Sequence, residues 1–329
     1  MLNAIPFSLL ELASVREGSD ICETFKHSLS YAQAADELGF KRLWLAEHHN
    51  MEGIASSATA VLIGHIAGGT RNLRVGSGGI MLPNHPPLVI AEQFGTLASL
   101  YPGRIDLGLG RAPGTDPITS RALRRDHHAA DDFPSEVSLL QQLFAPAGAN
   151  QKLKAIPGMG TEVPIWLLGS SLFSAQLAAT RGLPYAFAGH FAPRLMREAV
   201  QLYQSQFKPS ANLSKPYVIL GLPLVIADTE ARARLISTTA KQRILALFRD
   251  QPLWLRPPVT SMEGLWTPQE EAGVNEFLAL AAVGTPAQVK TYLNGLAEEL
   301  QINEFMFTND VYDPEERIHA LKLLMSIKN

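Results

Sequence analysis

The feature that most constrains this chain is an alternation. Short apolar runs are each followed by a segment of helical period, and the pattern repeats along the chain without a break in composition. The apolar runs fall at Ile5 to Leu10, Leu43 to His48, Leu73 to Leu82, Arg104 to Gly110, Ile165 to Leu168, Tyr185 to Ala188, Tyr217 to Ala227 and Asn303 to Thr308. The helical segments carry their own start signals. Asp20 with Glu23 resembles a capping box, the Thr285, Pro286, Gln288 and Asp313, Pro314, Glu316 sets repeat the logic, and Pro86 or Pro87 opens a helix that runs to Leu100. The small-residue segment Ser57 to Ala67, with Ser56 or Ser57 as its cap and Gly68 and Gly69 behind it, is a further helix. Eight strand-then-helix units in 329 residues predict an α/β fold, a single (β/α)8 TIM barrel with insertions spanning residues 1–329, rather than two domains. Two stretches lack a clean period and read as insertions, Ala112 to Phe133 and Gln251 to Pro268.

Charge and cysteine usage remove several classes of function. With 28 basic against 31 acidic residues the formal charge is -3, which provides no electrostatic footprint for nucleic acid or an anionic membrane. The single cysteine, Cys22, excludes an intrachain disulfide and any multi-cysteine metal site, and is compatible with a reducing cytoplasm. The opening MLNAIPFSLLELA has no basic residue ahead of its apolar run, and nowhere do about eighteen apolar residues follow one another. A cytoplasmic protein without a membrane span is therefore expected.

Three strand-to-helix junctions carry residues fit for chemistry, and in a barrel of this kind the C-terminal strand ends are where chemistry is kept. In LWLAEHHN, from Leu43, an apolar run stops abruptly on Glu47, His48 and His49. Histidine titrates closest to neutrality, so one at a strand end can serve as general acid or base. Side-chain alternation sends His48 and His49 to opposite faces, which lets only one enter the mouth and argues against a metal held by both. The second junction is Gly76, Ser77, Gly78, Gly79. Each glycine inside a strand costs about 0.5–1 kcal/mol relative to alanine. Either tight barrel packing offsets that cost, or a bulge or unusual peptide presses backbone against a planar ligand. RIDLGLG, from Arg104, points the same way: Ile105, Leu107 and Leu109 would face the helices, while Asp106, Gly108 and Gly110 leave a face where something flat could lie. The third junction is Leu168, Gly169, Ser170, Ser171 at a helix start, which is either a plain cap or an anion site for a phosphate. Arg111 is a second candidate contact for a phosphate or ring. GLGRAPG lacks the dinucleotide-binding spacing and opens no helix. His127, His128, Arg121, Arg124 and Arg125 read as a solvated face of the first insertion, and His65 as a structural residue.

With these stretches assembled, WLAEHHNMEGIASSA, RVGSGGIMLPNHPPLVIAEQFGTLASLYPGRIDLGLGRAPGTD, WLLGSS, VGTPAQV and NEFMF, the chain closely resembles the bacterial luciferase-like flavin-dependent monooxygenases, in particular their uncharacterised bacterial members, over essentially its whole length. The resemblance implies FMN at the C-terminal mouth of the barrel, reduced by a separate flavin reductase and reacting with O2 at its C4a carbon to give a peroxide that oxidises a small organic substrate. It gives the acid/base role to His48, with Glu47 and His49 as supports. It puts a non-proline cis peptide supporting the ring at Gly78 and Gly79, the phosphate on Gly169, Ser170 and Ser171, and a flavin-binding arginine at Arg111. Gly110 stands where luciferase has a reactive cysteine, and the luciferase lid is not recognisable between Gln251 and Gly273, so light emission is not expected. Within the same fold the alternatives are an F420-dependent or FMN-dependent dehydrogenase or reductase, or a flavin-binding protein without turnover. Family members are commonly homodimers, and the apolar helices Ser57 to Ala67 and Pro86 to Leu100 are the expected surface.

Overall fold

The computed structural model describes residues 2–112, 115–125, 130–148 and 151–328, so His127 and His128 lie outside the described residues. Among the described residues are nine parallel strands: β1 (Phe7–Glu11), β2 (Arg42–Leu45), β3 (Arg74–Met81), β4 (Ile105–Gly110), β5 (Ile165–Gly169), β6 (Tyr185–Phe187), β7 (Val218–Ile226), β8 (Ala282–Gly284) and β9 (Glu304–Thr308). β1 to β7 pair in chain order, β7 pairs with β9, and β9 pairs with β1, which closes an eight-stranded barrel. The ninth strand is an addition. β7 is long enough to pair β9 through Ile219 to Pro223 and then β8 through Leu224 to Ile226.

Period-two alternation sorts the side chains. Leu9, Leu43, Leu45, Val75, Ile105, Leu107 and Leu109 point out and are buried beneath the helices. Leu10, Trp44, Trp166, Ala186, Ile219 and Met306 point in and fill the barrel's middle. The N-terminal end below them is closed by charge. Arg42 donates to Asp106 at 2.6 Å and to Glu304 at 2.7 and 3.1 Å, Trp44 Nε1 reaches Asp106 at 3.1 Å, and Tyr217 reaches Glu304 at 2.8 Å. Burial would raise the Asp106 carboxyl, but the Arg42 and Arg74 guanidinium groups beside it hold it below the usual carboxylate range.

The helix starts follow their sequence signals. Asp20 accepts from Glu23 N at 2.8 Å, Asp313 from Glu316 N at 2.9 Å, and Gln288 Oε1 accepts from Thr285 N at 2.9 Å. One cap differs: the helix after β2 begins at Thr59, behind Ala58, because Ser56 and Ser57 are still part of the loop. His65 is exposed on that helix. The second insertion leads directly into a helix that has no counterpart in the expected strand-helix units. Thr267 and Glu270 form a capping box that opens Pro268–Phe277. No helix among the described residues is long and apolar enough to cross a membrane.

Candidate active site

The junction after β2 departs from expectation in one respect. The strand ends at Leu45, three residues before His48, and Glu47, His48 and His49 ride on the loop beyond it. Glu47 and His49 lie on one side of that loop, joined by a hydrogen bond. Glu47 is buried and acts as a hub: its Oε1 accepts from His49 Nε2 at 2.8 Å and His85 Nε2 at 2.9 Å, and its Oε2 from Met81 N at 3.0 Å. Burial by itself would raise this carboxyl, but the two imidazole hydrogen bonds and the Met81 amide outweigh it and hold the pKa at about 2. The donor atoms of Glu47, His49 and His85 converge within 4.8 Å, a set that could ligate a cation. Yet both imidazoles meet one carboxylate oxygen at hydrogen-bonding separation, so the set is already internally satisfied. His85 was not singled out from sequence. The Asn84, His85, Pro86, Pro87 run announces only a helix start, and that it returns to the β2 loop is a property of the fold.

Both insertions rest on this same loop. Asn50 donates to Asp116 at 3.0 Å and Thr115 to the His49 carbonyl at 3.1 Å. Leu253 N donates to the Glu52 carbonyl at 2.7 Å. Gly53, at φ +95°, allows that contact, since a Cβ there would stand 2.3 Å from the Leu253 carbonyl carbon.

At the second junction the Gly78–Gly79 peptide is cis. β3 slips register against β4 there, with Ser77 opposite Leu107 and Ile80 opposite Leu109, so one extra residue is accommodated and the in/out parity reverses. The glycines around it are dictated by close packing. A Cβ on Gly78 would meet Leu10 and Trp44 within 3 Å, one on Gly79 the Gly108 carbonyl oxygen at 2.8 Å, and one on Gly108 the Ser77 carbonyl oxygen at 2.2 Å. The expectation that the glycine face of β4 leaves room for a flat group is therefore corrected. Leu168 and the Ser77 backbone take up the space beside Gly108, and the Met81 thioether that beside Gly110.

The third junction brings its residues together. β5 ends at Gly169, and Ser171 is the N-cap of the ten-residue helix Leu172–Arg181; its carbonyl accepts from Ser174 Oγ at 3.0 Å, but its side chain makes no cap hydrogen bond. The exposed Arg111 guanidinium, from the end of β4, stacks on Phe173 of that helix's first turn, 4.0 Å from the ring centroid. A cation and uncapped helix N–H groups thus share one corner of the mouth. A cavity of about 420 Å³ opens from Ser170 between Phe191, Phe248 and Phe277.

The remaining strand ends add groups that the sequence did not mark. His190 follows β6, and Asp310 follows β9, where it accepts from Arg243 at 2.5 Å; Arg243 also donates to Ser14 at 2.8 Å. Burial, the nearby His48 and a smaller opposing pull from Asp310 leave the His190 imidazole at about 4.

The structure is thus a closed parallel barrel with polar groups gathered on the loops beyond its strand ends and a cis peptide in β3. The chain belongs to the luciferase-like monooxygenase family, whose sequence pattern matches residues 6–303. Among its relatives is a luciferase-like monooxygenase of Escherichia coli strain K12, 49% identical over 325 residues that cover 98% of this chain and 97% of the relative. Among solved structures, apo-MsnO8 superposes with a TM-score of 0.90 at 32% identity, covering 98% of each chain. The oxygenating constituent of 3,6-diketocamphane monooxygenase from Pseudomonas putida, solved in complex with FMN, shares the fold at 17% identity, with a TM-score of 0.74 over 98% of this chain and 96% of that one.

Proposed function

We propose that this protein is a flavin-dependent monooxygenase that takes reduced FMN from a separate reductase and uses O2 to oxidise a small organic molecule at the barrel mouth. The observation that carries the reading is the corner formed by Arg111, Phe173 and the Ser170–Ser171 helix start: a stacked cation beside uncapped N–H groups fits a phosphate monoester. The groups present thus suit the phosphate end of FMN, and Phe173 keeps the guanidinium in place for it. When bound, the reduced flavin would supply the electrons that activate O2.

The chain's own residues then have separable tasks. Arg111, Ser170 and Ser171 bind and orient the phosphate. Gly78 and Gly79 shape the wall that the ring would meet, at the bulge in β3. His48, on the β2 loop, holds or moves a proton at the mouth. Glu47 and His49 fix the loop that carries it, with His85 completing their network.

Two assays test this reading. FMN should bind in a titration followed by its fluorescence, and Arg111→Ala should weaken binding roughly tenfold to a hundredfold, the range for losing a charge-assisted hydrogen bond. Reduced FMN and O2 should support conversion of trial substrates with one atom of labelled oxygen incorporated. Conversion that needs no O2 and runs with F420 would instead identify a dehydrogenase. FMN binding without conversion of any substrate in a broad panel would favour a binding protein.

A further inference from the structure

The Nδ1 of His190 is sealed from solvent and has no hydrogen-bond partner among the described residues, and the ring packs edge-on against Phe191 at 4.9 Å between centroids. Its position follows from two glycines. On β7, Val218, Leu220 and Leu222 face the helices and Ile219 faces the barrel interior, so Gly221, two residues on, also faces in and one layer nearer the mouth. A Cβ on Gly221 would lie 2.9 Å from His190 Nδ1, so the imidazole occupies the place where that side chain would be. Gly189 makes this approach possible, since a Cβ there would stand 2.6 Å from the Gly221 carbonyl oxygen. On one side, the segment before His190 is tied to the phosphate corner, with Ala188 N donating to the Gly169 carbonyl at 3.0 Å. The charged or titratable groups that act on the ring are His48 and Asp310, the latter paired with Arg243.

We propose that His190 is a ligand-contacting residue of the mouth: a neutral imidazole that keeps its proton on Nε2 and donates it to an acceptor oxygen or nitrogen of the ring system held between Ser170 and His48. The tautomer follows from the sealed Nδ1. A buried N–H without a partner is rarer and costlier than a buried lone pair, so the proton belongs on the nitrogen that is not sealed. A partnerless imidazole at the top of a filled barrel is then a donor whose acceptor arrives with the ligand. This rests on the reading of the mouth as a flavin site, and the experiment separates the two.

Histidine-15N NMR of the free protein should find His190 neutral and protonated on Nε2 from pH 5 to 8. Protonation on Nδ1, or a charged ring across that range, would overturn the proposal. FMN is then titrated into wild type, His190→Phe and His190→Gln, with the fold of each checked by circular dichroism. The Phe variant should bind about tenfold more weakly, and the Gln variant, which keeps a donor, should recover most of that loss. Gly221→Ala, which displaces the ring without removing it, should resemble the Phe variant. Equal affinities in all four proteins would overturn this proposal alone, leaving the flavin reading intact. No FMN binding by wild type would overturn both.

Discussion

At Glu47 burial and hydrogen bonding oppose one another, and the outcome makes a testable pH dependence. Unfolded, a glutamate titrates at about 4.3; folded, this one sits at about 2. The folded state therefore binds fewer protons, so the stabilisation is complete above about pH 5 and is lost as the pH falls from there through about 2. A shift of that size corresponds to roughly 3 kcal/mol. Glu47→Gln should lower stability at neutral pH and give a shallower loss between pH 5 and 2 than wild type, read from urea midpoints; parallel curves would refute the assignment. His48 makes a different prediction. His48→Ala should cut turnover by roughly two orders of magnitude or more while FMN affinity changes little, and a variant that turns over at the wild-type rate would remove the proton role. These residues differed in legibility for a physical reason. His48 stands beside an abrupt end to an apolar run, a local signal. His85 and His190 matter because of where distant loops fold back, and no local pattern records that.

The strands were legible where their side chains alternate or stay apolar over several residues, and less so elsewhere. β8 escaped notice because three residues, Ala282 to Gly284, are too few to carry a period, and it exists only because β7 overruns its partner. The expected β2 ends three residues past the true strand end, because Glu47 and His48 continue its direction without continuing its ladder. The glycines of β3 and β4 proved to be set by packing, at the very positions where the sequence also allowed a ligand surface. Asp106 and Glu304, by contrast, are polar residues in apolar strands with an evident partner once the barrel closes, Arg42. Replacing Arg42 with Met would leave two buried carboxylates facing each other without their shared cation. The expected cost is about 3–5 kcal/mol, measurable as a shift in the urea midpoint, and a shift under 1 kcal/mol would mean that Arg74 and Tyr217 suffice.

For the molecule as a whole, the eight-unit alternation was enough to give the barrel, because each parallel strand needs a crossover and the crossovers here are helices. What it could not give was the destination of the insertions, which meet on the loop after β2 through Asp116 and Leu253. Closure depends on the chain's two ends. β1 and β9 pair through Phe7 with Phe305 and Leu9 with Phe307. A chain stopped at Ile302 should leave two strand edges open and partition to the pellet on expression to a greater extent than the full chain; a well-behaved truncated monomer would contradict this. The seam also has a consequence in time. About 300 residues separate β1 from β9, so at ordinary synthesis rates β1 waits roughly 15–60 s for its second neighbour. Until β9 is made the barrel cannot close, and the unpaired edge of β1 is the kind of surface that aggregates.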